Sequence, residues 1–239
     1  MDMDDSRWEK IAAATGVAFV VLILASSFVV PQPPKIDASI NKIGRYFFDH
    51  HSGMVWGGWL GLLGTLFGLW FIGTVAHWVR RQGQPRLATI AFAGGVTAFG
   101  LALLGTLLTT SLAYTVGART NLSPAVAREM YTMSLISFDL LWVPIAVFVA
   151  GVSMAGMRSS AMPLWLWGSG AVYAAVAVAA SAGVFAQGGF FAPGGTFQLI
   201  VFLAFAAWAL VLSLWLVRRV GMAEGAPAVS SEQPVAMTS

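Results

Sequence analysis

Cysteine is missing from this chain, histidine occurs only three times, and 10% of the 239 residues are charged. Each shortage removes a class of function. Without cysteine there are no disulfides, no thiolate metal ligands and no thiol redox chemistry. The three histidines, His50, His51 and His77, fall one short of the four axial ligands that two haems require. His51 and His77 stand about 39 Å apart along a helix, which rules out joint work. His50 and His51 follow Asp49, but adjacent helical side chains point about 100° apart and rarely share one ion. No metal or cofactor is therefore expected. Soluble domains carry about 25% charged residues, and a soluble fold cannot hide the apolar surface of a chain that is 58% hydrophobic. The net charge of +3 is scattered, with no basic cluster suited to nucleic acid. Gly188-Gly189 and Gly194-Gly195 are turn glycines and not a phosphate cradle, since no Lys-Ser/Thr follows them. No nucleophile–base pair is legible, so the residues give no support to an enzyme.

What the chain does have is six long apolar runs, near residues 11–30, 53–78, 87–116, 133–157, 163–187 and 197–217. Each is at least about 20 residues long, enough for a helix to cross the roughly 30 Å hydrocarbon core of a bilayer. The pattern predicts an all-α polytopic membrane protein, a six-transmembrane-helix bundle occupying residues 1–222 as one domain. Residues 223–239, rich in small residues, Pro and polar groups, are expected to be a disordered cytoplasmic tail. A cleaved signal peptide competes for the first run, with Ala25-Ser26-Ser27 as its cleavage cluster. Asp2, Asp4 and Asp5 and the length of the stretch from Ile11 to Val30 favour an uncleaved anchor helix.

Positive charge near helix ends sets orientation. With the N-terminus inside, the inner segments hold Arg7, Lys10, Arg80, Arg81, Arg86, Arg158, Arg218 and Arg219, and the outer ones Lys35, Lys42, Arg45, Arg119 and Arg128. Eight against five places both termini in the cytoplasm of a cell whose plasma membrane the chain crosses. The first outer loop has a pattern of its own. After Pro31-Gln32-Pro33-Pro34, the residues Ile36, Ile40, Ile43 and Phe47 recur at helical spacing, with Lys35, Asp37, Asn41, Lys42 and Arg45 on other faces. This predicts an amphipathic helix, either on the outer interface or capping the bundle. Ser123-Pro124 marks a helix start that leads into the fourth span. Pro144 leaves the carbonyl of Leu140 without a partner and predicts a kink. The endings Val79-Arg80-Arg81-Gln82-Gly83 and Val217-Arg218-Arg219-Val220-Gly221 echo one another, either as halves of a repeat or as two stop-transfer ends.

Three stretches carry a family likeness: Trp8-Glu9-Lys10 through Pro33-Pro34 to His51, the run GVSMAGMRSSAMPLWLW from Gly151 to Trp167, and AWALVLSLWLVRR from Ala207 to Arg219. Together they resemble a group of uncharacterised multi-pass membrane proteins common in actinobacteria. The resemblance implies a plasma-membrane protein of six spans and transfers no activity.

The polar residues of the spans fall at one depth. At about 1.5 Å per residue from the inner Arg or Pro of each span, Asp139 lies about 28 Å in, Trp59 and Gln198 about 30 Å, and Thr110 and Gln187 about 36 Å. Asp139 is the only acid within an apolar run. One reading is an outward-facing pocket for a small solute: Asp139 supplies charge, Gln187, Gln198 and Thr110 hydrogen bonds, and Trp59, Trp142 and Tyr114 the walls. The other is a structural or regulatory protein without a ligand, in which Asp139 pairs with Arg119 or Arg128 and the aromatics mark the interface. The pairs Gly57/Gly61 and Gly64/Gly68 permit close helix approach, within the bundle or at a face for a second copy or a partner membrane protein.

Overall fold

The computed structural model describes residues 3–118 and 123–224, with the backbone alone for 3–7 and 220–224. Arg119 and the segment from 225 onward therefore lie outside the described residues. The chain forms α1 (Met3–Phe28), α2 (Ile40–Arg81), α3 (Pro85–Gly117), α4 (Pro124–Leu140), α5 (Trp142–Ser159), α6 (Leu164–Ser181), a 3-10 turn over Ala182–Phe185, and α7 (Thr196–Glu224). Among the described residues there is no strand. Six segments are long and apolar enough to cross a membrane: Trp8–Phe28, Ile40–Arg81, Pro85–Gly117, Pro124–Ser159, Leu164–Phe185 and Thr196–Arg219. The protein is thus an all-α, multi-pass membrane bundle.

Each span packs on its neighbours in sequence, and α7 returns to α1, so the six close into a ring. Small residues set the spacing. A β-carbon at Gly94 of α3 would stand 2.7 Å from the Pro144 carbonyl oxygen and 2.8 Å from the Phe148 nitrogen, so the backbones of α3 and α5 meet there directly. The glycine pairs of α2 are spent inside the bundle. Gly57 and Gly61 face Ser26 of α1, Gly64 faces Leu22 and Ile23, and Gly68 meets Phe99 and Phe19. Ser26 Oγ also donates to the Gly57 carbonyl at 2.7 Å.

The amphipathic stretch of the first loop is helical from Ile40 and runs into the second span without a break. At 42 residues, α2 is about 63 Å long and extends well beyond a bilayer core. Its apolar face does not lie on the interface. Ile43 and Phe47 are buried with Leu112, Ala113, Tyr131 and Leu135 in a small second core that caps the bundle. The linker before it is pinned from α4: Arg128 donates to the carbonyls of Ala38 at 2.9 Å and Ile36 at 3.2 Å, and the Tyr131 hydroxyl donates to that of Pro34. The fourth span is broken at Leu141, three residues before Pro144, whose missing N–H leaves the Leu140 carbonyl unpaired. It is also the most enclosed span. Of its most apolar stretch 61% is buried, against 39% or less in the other five.

One end of the ring carries Arg80, Arg81, Arg86, Arg158, Arg218 and Arg219 and is called here the arginine end. The opposite, far end carries the cap, the helix break and the 3-10 turn.

Candidate functional site

Asp139 is the last residue but one of α4, just before the break, and is 1% exposed. Gln198 lies in the first turn of α7 and is 8% exposed. The two meet at the far end. Gln198 Nε2 donates to Asp139 Oδ1 and, at 3.0 Å, to the carbonyl of Ala180 near the end of α6. An amide nitrogen has two hydrogens, so both donors of Gln198 are committed and the orientation of its amide is fixed. What remains are acceptors. Asp139 Oδ2 and Gln198 Oε1 are buried with no hydrogen-bond partner among the described residues. Trp142, three residues past Asp139, is buried as well, and its indole Nε1 is a donor without a partner among the described residues.

The wall opposite the pair is backbone. A β-carbon on Gly183 would stand 2.5 Å from the Phe191 carbonyl oxygen, 2.7 Å from Gln198 Nε2 and 2.9 Å from Asp139 Oδ1. Only glycine lets the 3-10 turn close over the site. No Arg, Lys or His among the described residues pairs with Asp139. Arg128, a proposed partner from the sequence, spends its guanidinium on the Ala38 and Ile36 carbonyls instead. Some compensation comes from the positive N-terminal end of α7, in whose first turn Gln198 sits.

The other residues of the predicted polar layer do not converge here. Thr110 packs on α2, where a β-carbon on Gly58 would meet its Oγ1 at 2.4 Å. Trp59 is 51% exposed and stacks edge-on with Trp56 at 5.9 Å. Tyr114 is 72% exposed, and Gln187 is exposed in the turn after the 3-10 segment. Of the seven residues, the structure brings Asp139 and Gln198 into contact and buries Trp142. It places Thr110 against another helix and turns Trp59, Tyr114 and Gln187 outward. His50 and His51 each set Nδ1 2.9 Å from a carbonyl of their own helix. Among the described residues no three His, Cys, Asp or Glu side chains converge.

A second polar cluster, which sequence reasoning did not single out, lies nearer the arginine end. Ser153 Oγ and the Tyr173 hydroxyl are buried without hydrogen-bond partners among the described residues, and Trp208 Nε1 donates to the Leu166 carbonyl at 3.4 Å. Gly170 makes room for it, since a β-carbon there would meet Ser153 Oγ at 2.2 Å. A hydroxyl in an apolar run gives no signal of this kind, because serine and threonine usually bond their own helix, as Thr65 does to the Gly61 carbonyl.

Two clefts accompany these groups. One, of about 430 Å³, opens at the arginine end between α3 and α5. The other, of about 360 Å³, is an apolar groove between α6 and α7 lined by Trp165, Tyr173 and Trp208 among others. Neither includes Asp139 or Gln198.

Compared with protein-family models, with curated proteins and with solved structures, the chain matches none.

Proposed function

We propose that the protein is a plasma-membrane protein with both termini in the cytoplasm, and that it binds a small solute in its outer half through Asp139 and Gln198. The orientation rests on the excess of positive charge near the helix ends of one side, eight basic residues against five. The reading of the site rests on one observation. A buried carboxylate and a buried amide, locked by a hydrogen bond, each keep one oxygen, Asp139 Oδ2 and Gln198 Oε1, without a hydrogen-bond partner among the described residues, the Val184 backbone N–H being the other donor that faces the carboxylate. Such atoms cost about 1–3 kcal/mol each when left unpaired, and more for a charged group. A solute that relieves this cost presents hydrogen-bond donors or a positive charge and is otherwise small and apolar. Binding is favoured over conduction, because Asp139 is the only buried ionisable acid among the described residues of the spans and the cluster nearer the arginine end, Ser153, Tyr173 and Trp208, is uncharged.

A second reading is supported by the closure of the site. Asp139 is 1% exposed, and neither of the two clefts described above reaches it. On that reading the pair is a structural clasp between α4, α6 and α7, and the protein works through partner helices. Thermal unfolding in detergent, with a panel of small amines and polyols, separates the two. The expected result is that at least one amine raises the melting temperature of the native chain and leaves Asp139→Asn unmoved. If no compound shifts the native chain and Asp139→Asn simply melts earlier, the clasp reading replaces the solute reading.

A further inference from the structure

The cleft at the arginine end is built differently from the groove between α6 and α7. It is lined by Gly83, Gln84, Pro85, Arg86, Leu87, Ile90, Met154 and Arg158. Two cations reach it from separate elements, Arg86 from the first turn of α3 and Arg158 from the last turn of α5, and no carboxylate among the described residues lines it. Both arginines are exposed, and neither has a hydrogen bond or ion pair among the described residues. Two other arginines of this end are engaged with protein. Arg81 pairs with Glu9, and Arg219 donates to the Ala161 carbonyl and covers the Trp215 ring at 5.2 Å. The rim adds partial positive charge. Helix α3 starts at Pro85 with no side chain capping its first amides.

The remaining wall points to the source of the anion. Ile90 is 47% and Met154 41% exposed, and both lie on the membrane side of the arginines, one on each helix. A ligand held by Arg86 and Arg158 thus has its charged group at the level of the bilayer headgroups and an apolar path beside it into the hydrocarbon. Guanidinium groups suit phosphate oxygens in paired hydrogen bonds, and basic pockets between spans hold anionic headgroups. We propose that this cleft binds the phosphate headgroup of an anionic phospholipid, with its acyl chains along Ile90 and Met154. The assignment is independent of the solute site at the far end.

The test uses the full chain in detergent, titrated with phosphatidylglycerol, with phosphatidylcholine or with inorganic phosphate, and read by thermal shift and by lipid retention in native mass spectrometry. The variants are Arg86→Gln/Arg158→Gln and, as a control of equal charge loss per site, Arg80→Gln/Arg218→Gln at the same end but outside the cleft. Phosphatidylglycerol is expected to bind and stabilise the native chain and the control, and phosphatidylcholine not to. The cleft variant is expected to lose affinity by roughly tenfold or more, from two basic residues at an anionic surface. The proposal fails if both lipids act alike, or if the control loses as much as the cleft variant. It fails also if inorganic phosphate alone reproduces the effect, which would make the cleft a site for a free anion. Because the four arginines are exposed, loss of fold is not expected, and each variant's melting temperature without lipid checks it.

Discussion

Gly183 is the glycine whose missing side chain leaves room for the Asp139–Gln198 pair. With polar atoms at 2.5, 2.7 and 2.9 Å from the position of a β-carbon, one of them backbone, an alanine there has to push the 3-10 turn away from Asp139 and Gln198. Overpacking of this kind costs about 1–3 kcal/mol. Gly183→Ala is therefore expected to lower the melting temperature in detergent. Gly168→Ala, in α6 with nothing within 4 Å, should match or slightly exceed the native chain. Equal melting of the two variants would mean that the turn does not hold the pair closed. At this scale the sequence was partly legible. Asp139 and Gln198 stood out because each is a polar side chain within an apolar run at the same depth near its outer end, and depth along a helix follows from residue count. Direction around the helix does not follow from it. Trp59, Tyr114 and Gln187 share the depth of Asp139 but face outward, and Thr110 faces α2. Gly183 itself gave no sign, because a glycine beside a Gly-rich turn looks like part of that turn.

Among the elements, the linker between α1 and α2 shows how a proline-rich segment becomes a fixed strap. The carbonyls it exposes need donors from elsewhere, and they find them: Tyr46 donates to Pro31 at 2.7 Å, Tyr131 to Pro34, and Arg128 to Ile36 and Ala38. Tyr131 is 2% exposed and stacks edge-on with Phe47 at 5.7 Å, so its ring belongs to the capping core while its hydroxyl holds the strap. Tyr131→Phe keeps the ring and leaves the Pro34 carbonyl without a partner, a loss of about 1–3 kcal/mol. The expected outcome is faster amide exchange across residues 35–40 and an earlier melt, with the spans themselves protected as before. Unchanged exchange there would show that the hydroxyl does not anchor the strap. The helical spacing of Ile40, Ile43 and Phe47 was visible in the sequence. Its fusion to α2 was not, because Ser52-Gly53 at the start of the second run leaves room for a break, and only tertiary burial against Leu112, Tyr131 and Leu135 decides between an interfacial helix and a cap. The break in the fourth span was announced by Pro144.

For the whole molecule, the closing contact is made by α1. A β-carbon on its Gly16 would meet Phe71 of α2 at 2.6 Å and Ser213 Cβ of α7 at 2.7 Å, and Ser213 Oγ donates to the Ala13 carbonyl at 2.6 Å. The first span is thus wedged between the second and the sixth, 200 residues apart in sequence at that hydrogen bond. The number of spans was legible from run length alone, since a stretch of about 20 apolar residues has few other stable homes. The ring closure was not, because lipid-facing and bundle-facing residues of such helices are equally apolar and give little amphipathic signal. An even number of alternating spans fixes which connections share a side. Gln82, after α2, lies at the arginine end, and Gln187, before α7, lies at the far end. The absence of native cysteine makes this directly testable with Gln82→Cys and Gln187→Cys, labelled in intact cells by a membrane-impermeant maleimide. Labelling of Gln187→Cys alone is expected from the orientation proposed here, with Gln82→Cys reacting only after the membrane is opened. The reverse pattern would keep the fold and overturn the orientation. Labelling of both in sealed cells would contradict the alternation of spans, and with it the placement of Asp139 and the paired arginines in opposite leaflets.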